Sequence, residues 1–87
     1  MNLYVISGVT GMTGNELARR LVSSGNRVVG FDNFFASSIE TVEDIIKDNK
    51  FTFYEYDLNS KEQMNQLKQK ILILKQECDK IIYINCA

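Results

Sequence analysis

Apolar runs and segments of helical period alternate along this chain from end to end, with no linker between them. LYVI (3–6) is a short, continuous aliphatic run of the kind found in strands buried on both faces. Leu17, Ala18, Leu21 and Val22 then recur at helical spacing, and Gly25 stands where a helix stop belongs. RVVGF (27–31) predicts a second strand. Ser37 with Glu40 offers a capping box ahead of Ile39, Val42, Ile45 and Ile46, which predicts a second helix. FTFYEY (51–56) alternates in period two, and Ser60 with Gln63 offers another capping box for a long helix carrying Met64, Leu67, Ile71 and Leu74. KIIYIN (80–85) predicts a fourth strand.

This βαβαβαβ order, without a single proline, implies parallel strands joined by helical crossovers. Because such crossovers are right-handed, the first two helices share one face, and a return past the first strand puts the third helix on the other. The expected fold is a Rossmann-like three-layer α/β domain with a four-stranded parallel sheet in the order 3-2-1-4. That order leaves strand four as an unprotected edge, and one helix alone covers the second face. Parallel sheets are normally covered on both faces, so the chain is expected to pair with itself or another subunit through that edge, or to be marginally stable.

Composition narrows the function classes. The 87 residues make at most one domain, able to bury about 60 % of its unfolded surface. Ten Lys/Arg against eleven Asp/Glu form no basic cluster that could neutralise a run of phosphates, so nucleic acid is not an expected partner. No apolar run is long enough to span a bilayer and the N-terminus lacks the layout of a signal peptide, so no membrane partner is expected and the default address is the cytoplasm. With no histidine and only Cys78 and Cys86, a zinc site is not expected. The two cysteines have no C-x-x-C spacing and read as buried reduced thiols.

The chemistry concentrates in YVISGVTGMTGNELARRL, where Gly8, Gly11 and Gly14 recur at intervals of three between the first strand and the first helix. In a doubly wound sheet this turn faces the crevice where strand order reverses. There the first glycine permits a tight turn, the second lets a pyrophosphate approach the main chain, and the third lets the helix pack on the sheet. Amides at the helix start, including those of Met12 and Thr13, then suit a diphosphate. Asp32 closes the second strand near the roughly 20-residue spacing of a ribose-binding acid. Its carboxylate can accept from both adenosine ribose hydroxyls, whereas a 2′-phosphate would meet a negative charge with no nearby Arg or Lys, which favours NAD over NADP. A helix or turn cap is the plainer role for Asp32. Asn15-Glu16 after Gly14, in place of Lys-Ser/Thr, excludes a Walker-type phosphate loop.

These residues resemble the extended short-chain dehydrogenase/reductases, specifically the NAD-dependent nucleotide-sugar epimerases and dehydratases. SGVTGMTG is similar to that family's Thr-Gly-x-x-Gly-x-x-Gly, with Ser7 replacing the threonine, which implies cofactor contacts from Gly8, Thr10, Gly11, Met12, Thr13 and Gly14. FDNF is similar to its Asp-Asn signature, which implies that Asp32 and Asn33 hold the adenosine ribose and that Ser37 reaches a phosphate. EYDLNS resembles the Asp-Leu/Ile pair after the third strand, which implies that Asp57 and Leu58 flank the adenine; a helix cap is the plainer role for Asp57. INCA resembles the segment after the fourth strand, which implies that Asn85, Cys86 and Ala87 pass beneath ribose and pyrophosphate. Tyr83 and Cys86 otherwise read as core or lining.

Catalysis in that family needs a Tyr-x-x-x-Lys pair, and none of Tyr4, Tyr54, Tyr56 or Tyr83 has a lysine four residues on. The chain is therefore expected to be the cofactor-binding first half of an epimerase or dehydratase, without substrate domain or catalytic residues, and inactive alone. The alternatives are a free-standing nucleotide-binding or protein-interaction module, and a site completed by a separate chain.

Overall fold

The computed structural model describes residues 1–34 and 38–86. Four strands, β1 (Leu3–Ser7), β2 (Arg27–Asp32), β3 (Phe51–Glu55) and β4 (Ile81–Asn85), form one parallel sheet in the order β3-β2-β1-β4. Two α-helices, α1 (Met12–Ser23) and α2 (Lys61–Lys75), and a short 3-10 helix (Ile39–Val42) make the crossovers. The architecture is the expected Rossmann-like one. β1 is the central strand, with Ser7 beside Phe31 of β2 on one side and Asn85 of β4 on the other.

The period-two alternation of the strands divides the core. Ile6 and Val28 face Ala18 and Val22 of α1 together with Val42, Ile45 and Phe51. Leu3, Val5, Val29 and Phe31 face Leu67 and Ile71 of α2 on the opposite side. The crossover rule therefore placed the layers correctly. Gly25 ends α1 with φ 86°, in the left-handed region that glycine enters without a Cβ penalty. Ser60 caps α2, its Oγ accepting from the Gln63 N–H at 3.2 Å. The reciprocal half of the capping box is absent, because Gln63 Oε1 accepts from the Asp57 N–H at 2.6 Å instead.

The second crossover departs from expectation: the helix over Ile39 to Ile46 is a 3-10 turn followed by irregular turns up to β3. The hydrogen bonding differs from that of an α-helix. The carbonyl of Thr41, which the Ile45 N–H would need in an α-helix, accepts from the guanidinium of Arg19, and Ile45 N–H bonds Val42 O at 3.1 Å. Ser38 stands at the N-terminal boundary with no side-chain capping bond. The expected capping residue Ser37 lies outside the described residues.

Both cysteines are free and half-buried. Among the described residues no helix is long and apolar enough to cross a membrane, and no cluster of metal-ligating side chains occurs.

Candidate functional site

The glycine turn leaves β1 at its carboxyl end. Gly8 has φ 68°, which turns the chain sharply while its N–H still bonds Phe31 O at 3.0 Å, one step beyond the β1–β2 register. Gly14 is held by space. A Cβ there would stand 2.8 Å from Val9 Cα and closer still to Gly8 O, so only a bare Cα lets α1 approach the turn. α1 begins after Gly11 with no side-chain cap and no acidic residue in its first turn. Its leading amides therefore carry the positive end of the helix dipole without a carboxylate to offset it. Met12 is 88 % exposed and Thr13 is exposed, so this end of the helix is open.

Asp32 lies at the end of the neighbouring strand, and its carboxylate turns toward the glycine turn. Oδ2 accepts from the Thr10 N–H at 3.1 Å and from the Thr10 hydroxyl at 2.6 Å, while Oδ1 accepts from the Phe34 N–H at 3.0 Å. A carboxylate offers about four lone-pair sites, so three are taken. One site remains on Oδ1, so a second ribose hydroxyl would be accepted only by exchange with one of these donors. The capping role weighed for Asp32 is also real, since it closes a turn onto Phe34. Phe34 itself adopts φ 61°, a conformation that costs a non-glycine residue about 1–3 kcal/mol, and its ring stacks on Phe53 at 5.5 Å.

A polar network fixes the segment after β2 over the same turn. The Thr41 hydroxyl donates to Thr10 O at 2.6 Å, and Thr41 O accepts from Arg19. Arg19 also grips Asp44 with two bonds, 2.7 and 2.8 Å, and bonds Asn15, whose amide returns to Gly11 O. The hydrogen bond from Arg19 holds the Asp44 carboxyl below its ordinary range and lifts the guanidinium above its own.

The other expected residues fall as follows. Asn33 is exposed beside Asp32. Asp57 Oδ1 accepts from the Asn59 N–H at 2.9 Å, a turn-forming role, and Leu58 is exposed just after β3. Asn85 Oδ1 accepts from the Ser7 hydroxyl at 2.7 Å and Cys86 N–H bonds Ser7 O at 2.9 Å, which fastens the end of β4 to that of β1. Ser37 and Ala87 lie outside the described residues. Strand order and pairing bring the glycine turn, Asp32 and the Asn85-Cys86 step to the carboxyl ends of neighbouring strands; Asp57 and Leu58 follow the outermost one.

Sequence reasoning missed the network and Gly30. A Cβ on Gly30 would meet the Val9 side chain at 2.7 Å, so that glycine on β2 seats the buried valine of the turn. A lone glycine inside a strand was the available signal for such a close approach.

The family model for GDP-mannose 4,6 dehydratase matches residues 5–85. No curated protein matches the chain. The fold is similar to that of a dTDP-glucose 4,6-dehydratase from Bacillus anthracis in complex with NAD, with TM-score 0.74 and 16% identity over 100% of this chain and 27% of that one. A short-chain dehydrogenase from Leptospira borgpetersenii with bound NAD+ matches with TM-score 0.73 and 23% identity over 99% of this chain and 31% of the other. A UDP-glucose 4-epimerase from Thermotoga maritima, with UDP-glucose, matches with TM-score 0.65 and 19% identity over 97% of this chain and 24% of the other. The chain thus spans between about a quarter and a third of the length of these structures. With the family match covering nearly all of its length, the chain belongs to the GDP-mannose 4,6 dehydratase family, within the extended short-chain dehydrogenase/reductases.

Proposed function

We propose that this chain binds NAD as the cofactor domain of an NAD-dependent nucleotide-sugar dehydratase or epimerase. The observation that carries the reading is the meeting of the glycine turn and Asp32 at the carboxyl ends of β1 and β2, joined by the two Thr10 bonds to Oδ2. The residues present fit the group: an uncapped helix start suits a diphosphate, and a carboxylate with an acceptor site left on Oδ1 suits a ribose hydroxyl.

On this reading the amides around Gly11, Met12 and Thr13 hold the diphosphate. Asp32 and Asn33 hold the adenosine ribose, Ser37 reaches a phosphate, Asp57 and Leu58 flank the adenine, and Asn85, Cys86 and Ala87 line the path beneath ribose and pyrophosphate. Bound NAD supplies hydride transfer, taking a hydride from a sugar carbon and later returning it. This chain contributes binding, orientation and electrostatics. The sugar-nucleotide substrate class is supported by the family match and by the dTDP-glucose and UDP-glucose enzymes that share the fold. Two unpaired thiols fit a reducing, cytoplasmic address.

Calorimetric titration tests the reading. The folded chain should bind NAD more tightly than NADP and should not turn over a nucleotide sugar by itself. Saturation by neither cofactor, or equal affinity for both, contradicts it.

A further inference from the structure

We infer that Thr10 is the positioning residue of the cofactor site: it locks the Asp32 carboxylate in the orientation that admits a ribose hydroxyl and rejects a 2′-phosphate. The inference rests on the reading of this crevice as a dinucleotide site.

Thr10 is 0 % exposed, yet it directs two donors at a single oxygen, Asp32 Oδ2. The hydroxyl bond, at 2.6 Å, has the length of a charge-assisted O–H···O⁻ bond, the stronger kind. Thr10 is itself anchored through its main chain. Its carbonyl accepts from the Thr41 hydroxyl at 2.6 Å, and Thr41 is gripped in turn by Arg19. On the far side of the carboxylate, the Phe34 N–H bonds Oδ1. The group is thus held from both sides, and rotation about its last side-chain bond would break the Thr10 hydroxyl bond.

Two consequences follow for a ligand. The acceptor capacity left over sits on Oδ1, so a ribose hydroxyl meets a fixed, correctly aimed acceptor and little ordering of the side chain opposes binding. A 2′-phosphate meets a negative charge that cannot swing aside. Selectivity therefore comes from Thr10 as well as from Asp32, because an unrestrained aspartate could turn away from the phosphate. Nothing in a glycine-turn pattern demands a hydroxyl here.

The test is a double-mutant cycle read by calorimetry on the full chain with NAD and NADP as probes. Thr10→Val should weaken NAD severalfold, up to about tenfold, the order expected when a freed side chain must be ordered on binding, and should bring the NAD and NADP affinities closer together. Thr10→Ser, which keeps the hydroxyl, should restore both. In an Asp32→Ala background, Thr10→Val should have no further effect on NAD, which a merely structural threonine would not predict. If Thr10→Val fails to fold, Thr10→Ala measured against Thr10→Ser carries the same comparison. Unchanged NAD affinity and selectivity in Thr10→Val, or equal losses with and without Asp32, overturn the positioning role and leave NAD binding intact. Failure of the wild-type chain to bind either nucleotide overturns the dinucleotide reading, and the positioning role falls with it.

Discussion

The carboxyl end of β1 and the outer side of β4 are built on opposite terms. Around the glycine turn, short polar side chains close one another's hydrogen bonds: Thr10 with Asp32, Thr41 with Thr10, Arg19 with Asp44 and Asn15, Ser7 with Asn85. Along β4 the order reverses. Tyr83, whose register partner Val5 is buried beneath α2, is itself 67 % exposed, and on α2 Leu72 and Ile73 are 52 % and 68 % exposed. β4 pairs with β1 on one side and leaves its other edge open. The first region is held together by hydrogen bonds between its own side chains and main chain. The second carries exposed apolar side chains and, among the described residues, a strand edge with no further strand beside it.

The largest effect is expected from overfilling the packed glycine turn. Gly14→Ala places a Cβ against the main chain of Gly8 and Val9, which cannot retreat as a flexible side chain would. It should cost about 3 kcal/mol of stability, read as a lowered urea midpoint at unchanged slope. Gly25→Ala, with nothing near its Cβ but φ 86°, should cost only about 1 kcal/mol.

Next in size is the ligand effect. Asp32→Ala removes the acceptor of three bonds and should weaken NAD by at least about tenfold, more than it weakens NADP. Calorimetry at equal fold stability checks it.

The open side should answer to charge rather than to volume. We expect the chain to associate through the β4 edge at high concentration or to melt at low temperature, and Tyr83→Lys to shift sedimentation toward monomer. A wild-type monomer with a high melting temperature would remove the contrast.

The smallest effect concerns acid. Asp44 has its folded pKa depressed by the Arg19 hydrogen bond, so its contribution is present above the ordinary carboxylate pKa and is lost as pH falls through the lowered folded value. Asp44 is exposed, so the change is slight. Asp44→Asn should flatten that acid limb of the stability curve by lowering the neutral plateau slightly while leaving the fully acid end in place.

Much of the fold was legible because it is carried by periodicity. Val5 and Val29 on one face, Ile6 and Val28 on the other, follow from alternation along each strand, and handed crossovers then fix 3-2-1-4. The second crossover was not legible, because Ile39, Val42, Ile45 and Ile46 do repeat at helical spacing. There a guanidinium from α1 bonds the Thr41 carbonyl, a tertiary contact that no local pattern encodes. Within the site, Gly8, Gly11, Gly14 and Asp32 were visible through residue type and spacing. Thr10 was visible only as a member of the turn, and its hold on Asp32 came from β2 lying alongside β1.

Amide chemical-shift mapping of the ligand-free chain against NAD tests the central claim most directly. The largest shifts should fall on Gly11, Met12 and Thr13 and on Phe34, whose N–H reports the Asp32 carboxylate. Shifts confined to α2 or β4, with the glycine turn silent, would contradict it.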